Sequence, residues 1–287
     1  MPSLVNPLTF QLNEGVVLND DILLAGQPFV DIDQVTGLDS SPYRETRRDH
    51  EGTDGGFIDA EFETGRPITL KGTAYGNGGD LDNYLDSLKS NYSPVRTPIP
   101  FYFILANGVT RLTYVKPLGC AYNWDSSRRI GATPIEFKMY AEDPRIYANS
   151  LSSATLPIGG IITTGLSFNL TFNLGFGGGG SAAGQFINNL GNRSTPLLFT
   201  VNGPVTTPQI INDTLGITMT FNIDVGASET LVIDTGNHTV RLNGITNRRN
   251  VLLSPTWFSL DPGLTFIRFQ AAAGSGTLTV QFRSAWR

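Results

Sequence analysis

Strict apolar–polar alternation over eight or nine positions constrains a chain to strands that bury one face. In the second half of this 287-residue chain, Leu166, Phe168, Leu170, Phe172 and Leu174 alternate with Ser167, Asn169, Thr171 and Asn173. Ile217, Met219, Phe221, Ile223 and Val225 alternate with Thr218, Thr220, Asn222 and Asp224, and Leu278, Val280 and Phe282 repeat the pattern. Shorter apolar runs lie at 197–201, 209–211, 231–233, 240–242 and 264–269. They are separated by turn signals at Asn202-Gly203-Pro204, Thr235-Gly236-Asn237, Asn243-Gly244, Asp261-Pro262-Gly263 and Gly274-Ser275-Gly276. Many short strands at this spacing predict an antiparallel sandwich over residues 151–287.

The first half is mixed. Strands are expected at 16–17, 29–32, 57–62, 68–75, 101–105, 111–115, 119–124 and 133–140. Asn107-Gly108 between two apolar runs signals a hairpin whose two turn positions both favour positive φ. One helix is expected, about 80–92: Asp80 caps it, Leu81, Tyr84, Leu85 and Leu88 recur at helical spacing, and it ends before Pro94. A single helix among strands predicts a sheet-based, β-sandwich-like domain with the helix covering one face.

Charge separates the halves. Residues 1–150 hold 13 Lys and Arg against 20 Asp and Glu, net −7; residues 151–287 hold 7 against 5, net +2, with no lysine. This shift, and the Ser-rich stretch at 149–155, predict two domains, 1–150 and 151–287. An overall net charge of −5 argues against sequence-specific nucleic-acid binding by phosphate neutralisation. The single cysteine, Cys120, rules out an intrachain disulfide and a cysteine-based zinc site and fits synthesis in reducing cytoplasm; in its strand pattern it reads as a small buried hydrophobe. The amino terminus carries no signal-peptide pattern, and the longest apolar runs are too short to span a membrane, so no membrane insertion is expected.

Several constellations invite chemistry and are weak. Gly175-Phe176-Gly177-Gly178-Gly179-Gly180 fits a dinucleotide fingerprint formally, but no helix or spaced acid follows, so it reads as a hairpin loop. Asp31 and Asp33 share a strand face and could serve a metal or a glycosidase; side by side on an exposed edge they read as solvated acids that discourage edge pairing. Asp20-Asp21 is weaker still. His50 and His238 stand 188 positions apart without a nucleophile elbow. No catalytic residue, cofactor or metal is expected. The tryptophans Trp257 and Trp286 could stack on a sugar, which gives an alternative reading as a glycan-binding sandwich; buried, they fill a core.

The densest charge cluster, Arg44, Glu45, Arg47, Arg48, Asp49, His50 and Glu51, interleaves signs and reads as a loop or hairpin making ion pairs between subunits. With it, Asn107 and Gly108, and the Asp143-Pro144-Arg145-Ile146-Tyr147 break, are the expected contact sites.

That last element closes the first half after a strand, and it resembles the end of the N-terminal domain in distal tail proteins of long-tailed phages. Asp54-Gly55-Gly56, Gly65-Arg66, Leu70-Lys71-Gly72, the single helix, Pro98-Ile99-Pro100 and Arg111 follow the same order. Gly191 to Pro196, Val201 to Pro204, Asp234-Thr235, Leu242 to Gly244 and Trp257 to Gly263 resemble the family's C-terminal domain. The resemblance implies a galectin-like C-terminal sandwich and a non-enzymatic virion protein. It also implies a homohexameric ring at the tail tip that joins the tail tube protein to a tail-associated lysin or central fibre, with outward domains that carry host-recognition parts.

Overall fold

In the computed structural model, residues 6–19, 27–124, 126–159, 184–253 and 256–287 are described, except for the side chains of 59–61. The alternating run 166–174, the glycine-rich stretch 175–180 and Asp20-Asp21 lie outside the described residues. The protein is mainly β, with one α-helix among the described residues. The chain divides into two compact units, residues 1–149 with Arg287, and residues 150–286.

The first unit contains β1 (Phe10–Leu12), β2 (Val17–Leu18), β3 (Phe29–Thr36), β4 (Tyr43–Asp49), β5 (Gly56–Glu63), β6 (Arg66–Tyr75), α1 (Gly78–Asn91), β7 (Ile99–Ile104), β8 (Thr110–Tyr122), β9 (Ala132–Ala141) and β10 (Ile146–Ala148). Apart from the β4–β5 pair, its strands run in the order β2-β1-β7-β8-β9-β6-β3, with β10 on β8. β8 serves two layers: its first half pairs β7, Val115 opposite Ile99, and its second half pairs β9, from Lys116 opposite Tyr140. The crossing is marked by a bulge between Pro117 and Gly119. Pro117 has no N–H to give to a ladder, and Gly119 stands at φ +134, a region costly for other residues. The two strands expected at 111–115 and 119–124 are therefore one strand, because a bulge bends a ladder without ending it.

Alternation positions the core. β6 turns Arg66, Ile68, Leu70, Gly72 and Ala74 inward, and β9 does the same with Thr133, Ile135, Phe137, Met139 and Ala141. Across their outer faces Lys71 and Lys138 both pair with Glu136, at 3.6 and 3.1 Å. α1 packs on β6 and β8 through Leu81, Leu85 and Leu88, and Tyr92 behind it lies 4.4 Å from the Phe137 ring. The helix starts earlier than its spacing suggested. Asn77 is the N-cap, without a side-chain cap bond, so Asp80 is not the cap; it lies in the first turn, where a carboxylate suits the helix dipole. The open ends of the sheet approach each other at Asn19, whose N–H donates to Val30 O at 2.9 Å and whose Oδ1 accepts from Ile32 N at 3.2 Å.

The second unit contains β11 (Ser152–Pro157), β12 (Gly184–Asn189), β13 (Leu198–Asn202), β14 (Val205–Thr206), β15 (Gln209–Asn212), β16 (Ile217–Thr220), β17 (Asp224–Val225), β18 (Thr230–Asp234), β19 (Thr239–Leu242), β20 (Thr246–Asn247), β21 (Gly263–Gln270), β22 (Ala273–Gly274) and β23 (Thr277–Phe282). One sheet runs β11-β23-β13-β18-β19-β20, a second runs β12-β21-β15-β16, and β17-β14-β22 form a third. Phe199, Val201, Leu231, Ile233, Leu278 and Val280 from the first sheet meet Ile187, Ile210, Met219, Ile267 and Phe269 from the second in one core, which makes the unit an antiparallel sandwich.

Two expectations shift here. The run 217–225 is not one strand: Phe221 N donates to Pro208 O and bridges Leu252, and after it the chain leaves the sheet to pair Val225 with Val205. Part of the Ser-rich junction is ladder, with Ser152 to Pro157 paired residue by residue with β23, since small hydroxylated side chains do not hinder backbone pairing.

Candidate functional site

The charged cluster at 44–51 forms a hairpin. β4 pairs β5 from Tyr43 opposite Glu63 to Asp49 opposite Gly56, and His50 N closes the turn on Gly55 O at 3.0 Å. The pair forms its own two-stranded sheet, and every residue of β4 is exposed. A register shift between Thr46 and Arg47 puts the extra residue on β5, so β4 keeps its alternation. One face carries Arg44, Thr46 and Arg48 with Phe62 and Phe57 opposite. The other carries Tyr43, Glu45, Arg47 and Asp49 with Ile58 and Glu63. Arg44 lies over the Phe62 ring at 5.8 Å, while Arg47 forms an ion pair with Glu45 of its own strand. Phe57, Ile58 and Phe62 are each more than half exposed, with relative accessibilities of 57, 54 and 57 %.

The hairpin's root is fastened inside the domain. Thr64 N donates to Pro42 O at 3.0 Å. Arg66, fully buried, donates from NH1 to Gly37 O at 2.8 Å and from Nε to Pro144 O at 3.1 Å; burial pulls its guanidinium pKa below the usual value. The carbonyl of Pro144 brings in the Asp143–Tyr147 element. Asp143 accepts from Arg145 N and Arg145 NH1 at 3.1 and 3.2 Å and from the Tyr147 hydroxyl. Arg145 O accepts from Thr113 Oγ1 at 3.1 Å. Burial first, then the Asp143 charge, push the Tyr147 phenol upward. These polar groups are bound within the unit, so the Asp143-Pro144-Arg145 signature is an internal knot that locks the end of β9 and the start of β10.

Asn107 and Gly108 form an exposed turn between β7 and β8, with Gly108 N on Leu105 O and Val109 N on Asn107 Oδ1 at 3.1 Å. Only Gly108, at φ +80, is left-handed here; both residues of Asn243-Gly244 are, at +52 and +72.

An exposed cluster escaped the sequence reading. Trp124 and Ile130 are 80 and 82 % accessible, and the Arg128 guanidinium lies 3.8 Å from the Trp124 ring centre while ion-paired to Asp82. Arg128 stands within the short 3-10 turn Ser126–Ile130, four positions after Trp124. The tryptophans proposed for sugar stacking are both half-buried. Trp257 packs against the sandwich core with its ring 4.9 Å from His238.

Asp33 sits at a bulge between Ile32 and Gln34, beside an open cleft of about 450 Å³ whose other acid, Glu136, is ion-paired with two lysines. His50 packs on Phe57 at 3.9 Å. Among the described residues no group of three or more His, Cys, Asp or Glu is placed to hold a metal. Cys120 is half-buried, and desolvation raises its thiol pKa to about 11. Among the described residues no helix is long and apolar enough to cross a membrane.

Residues 190–286 match the family model for the siphovirus-type tail component, C-terminal domain. Over 96 % of its length, and 98 % of the other chain, the protein has the fold of the SPP1 Dit (gp 19.1) protein, described as a paradigm of hub adsorption apparatus in phages that infect Gram-positive bacteria; the TM-score is 0.65 at 16 % identity. Chains of the phage p2 baseplate in its activated conformation, with Sr and with Ca, align over 96 % of this chain and 98 and 97 % of theirs, at 10 % identity and TM-scores of 0.48 and 0.47. No curated protein sequence matches the chain.

Proposed function

We propose that this protein is a structural hub of a phage tail tip. In this reading six copies close into a ring that joins the tail tube to the tail-associated lysin or central fibre and to peripheral host-recognition parts, with no chemical step. The observation that carries the reading is the combination of a tail-component C-terminal domain with a hub-protein fold over nearly the whole chain. The surface supports it: an exposed hairpin with three large apolar side chains is what heterologous, ring-closing contacts use. In order, the contact candidates are the 44–51 hairpin, the Asn107-Gly108 turn and the Asp143–Tyr147 element.

Light scattering and negative-stain microscopy of the purified protein test this. Six-membered rings are expected at high concentration or on addition of tube protein. A monomer under both conditions, or turnover of a cell-wall polymer, would contradict it. Glycan contact by the C-terminal sandwich is the second reading. It lacks an exposed indole at Trp257 or Trp286, and a glycan array unaffected by Trp257→Ala would dispose of it.

A further inference from the structure

The second unit carries a cationic rim. Residues 235–260 contain no Asp or Glu and three arginines, Arg241, Arg248 and Arg249, in a chain of net charge −5. The fold gathers the three at one edge of the first sheet. Arg241 on β19 stands in register between Val232 of β18 and Asn247 of β20. Arg248 follows Asn247 and donates from its backbone N–H to Val240 O at 2.8 Å, and Arg249 opens the 3-10 turn Arg249–Val251. Paired strands lie about 4.8 Å apart, so Arg241 and the two arginines beyond Asn247 start within reach of one another. All three are exposed, and none has an ion pair among the described residues.

The polar groups between them are donors. Asn247 Oδ1 accepts from Arg249 N at 3.0 Å, and Asn243 Oδ1 accepts from Thr230 N at 2.9 Å. Each asparagine thereby ties its carbonyl oxygen to the backbone and leaves its NH2, a pure donor, to the surface. The acids at the two ends of neighbouring β18 are engaged in their own turns. Glu229 accepts from Gly226 N, and Asp234 accepts from Gly236 N, Asn237 N and Asn237 Nδ2. The rim is therefore an array of N–H donors with no carboxylate of its own. Charge on an edge strand also deters pairing with another sheet, but that role does not call for asparagine oxygens tied back and amides left free.

A guanidinium matches phosphate oxygens as a two-pronged fork. Three of them spread along an exposed rim suit successive charges of a long ligand better than one enclosed ion, because linked contacts reinforce one another. Residues 239–250 include no Phe, Tyr or Trp on which a base could stack. We infer that this rim binds a polyanion of phosphodiester-linked polyol units, a polymer with repeated phosphates and no bases. The inference stands on the second unit alone and does not depend on the ring reading.

Fluorescence anisotropy of the full chain with labelled poly(glycerol phosphate) tests it. Binding is expected, with log affinity falling against log salt at a slope of about −2, the value for three phosphates neutralised on a flexible strand. R241Q/R248Q/R249Q should weaken binding about tenfold or more and flatten that slope, while R44Q/R48Q in the first unit should leave both unchanged. The three changes are at exposed positions, so circular dichroism and the thermal midpoint should match the parent; should the triple variant misfold, R248Q/R249Q replaces it. Inorganic phosphate should compete only at about a hundredfold higher phosphate concentration. No binding by the parent, or equal binding by parent and triple variant, would overturn the site. An equal loss in R44Q/R48Q would overturn its assignment to the rim. Competition by inorganic phosphate at matched phosphate concentration would overturn the polymer. Tighter binding of single-stranded DNA, lost in the triple variant, would overturn the choice of a polymer without bases.

Discussion

Individual side chains decide how firmly the hairpin is held. Arg66 is charged, buried and bonded to two carbonyls that belong to different segments, the Gly37 turn and the Pro144 break. Its removal leaves both carbonyls buried and short of a donor, and bonds from a charged donor contribute about 1.5–3 kcal/mol each. Arg66→Ala should therefore lower stability by about 3 kcal/mol or more in urea unfolding; a change within about 0.5 kcal/mol would show that the clamp carries no weight. Cys120 and Tyr84 set the alkaline limit. Desolvation raises their pKa values to about 11 and about 12 from ordinary values of 9.0 and 10.0. A raised pKa means the folded state keeps a proton that the unfolded state loses, so this contribution is complete below pH 9 and is lost as the pH climbs through 11 to 12. Unfolding midpoints should hold level across neutral pH and fall above pH 9, with the early part of the fall absent in Cys120→Ser. The thiol should react with a disulfide reagent at pH 8 about a hundredfold more slowly than an exposed cysteine, since its thiolate fraction is that much smaller. Reaction at the exposed rate would refute the burial argument.

At the scale of elements, β8 is the hinge of the first unit. Its bulge lets one strand join two layers, and Gly119 pays the conformational toll with a φ of +134 and no neighbour to crowd a side chain. Gly119→Ala should cost about 1 kcal/mol or more in thermal unfolding, whereas Gly79→Ala, in the first turn of α1 with open space around it, should be neutral or stabilising by up to about 1 kcal/mol. Equal effects at the two sites would contradict the strain assigned to the bulge. The same strand shows what the sequence could and could not reveal. Period-two patterning located β6, β9, β21 and β23, because each buries one clean face. It was silent on β4, where seven exposed polar and charged residues give no buried face to alternate with. It split β8 at Pro117, because a bulge and a strand end share the same residues. The start of α1 was misplaced at Asp80 for a related reason: Asn77 caps by backbone position alone, and Gly78 at φ +41 enters a helix in a way local preference disfavours. The candidate surface was legible as charge but not as shape. The arginines of the cluster were visible, while their pairing with Phe57 and Phe62 depends on a register that only the folded hairpin sets.

At the scale of the whole molecule, the proposed function follows from repetition of one chain. The net charge of −7 over residues 1–150 also suits the proposed ring if DNA slides through it, because like charges repel; mapped on the assembled ring, these acids should line the pore, and a neutral or basic pore would contradict this. Residues 151–287 carry only 12 charged side chains, so in the proposed ring neighbouring copies of this half would repel one another little. The central claim is that matching surfaces, and no catalytic step, make this protein useful to a virus. A particle reconstruction resolved well enough to trace this chain tests it most directly. The account predicts a closed ring of copies at the end of the tail, between tube and central fibre, with the β4–β5 hairpin of each copy on its neighbour. Density for this chain elsewhere in the particle, or a single copy there with its hairpin bare, would contradict it.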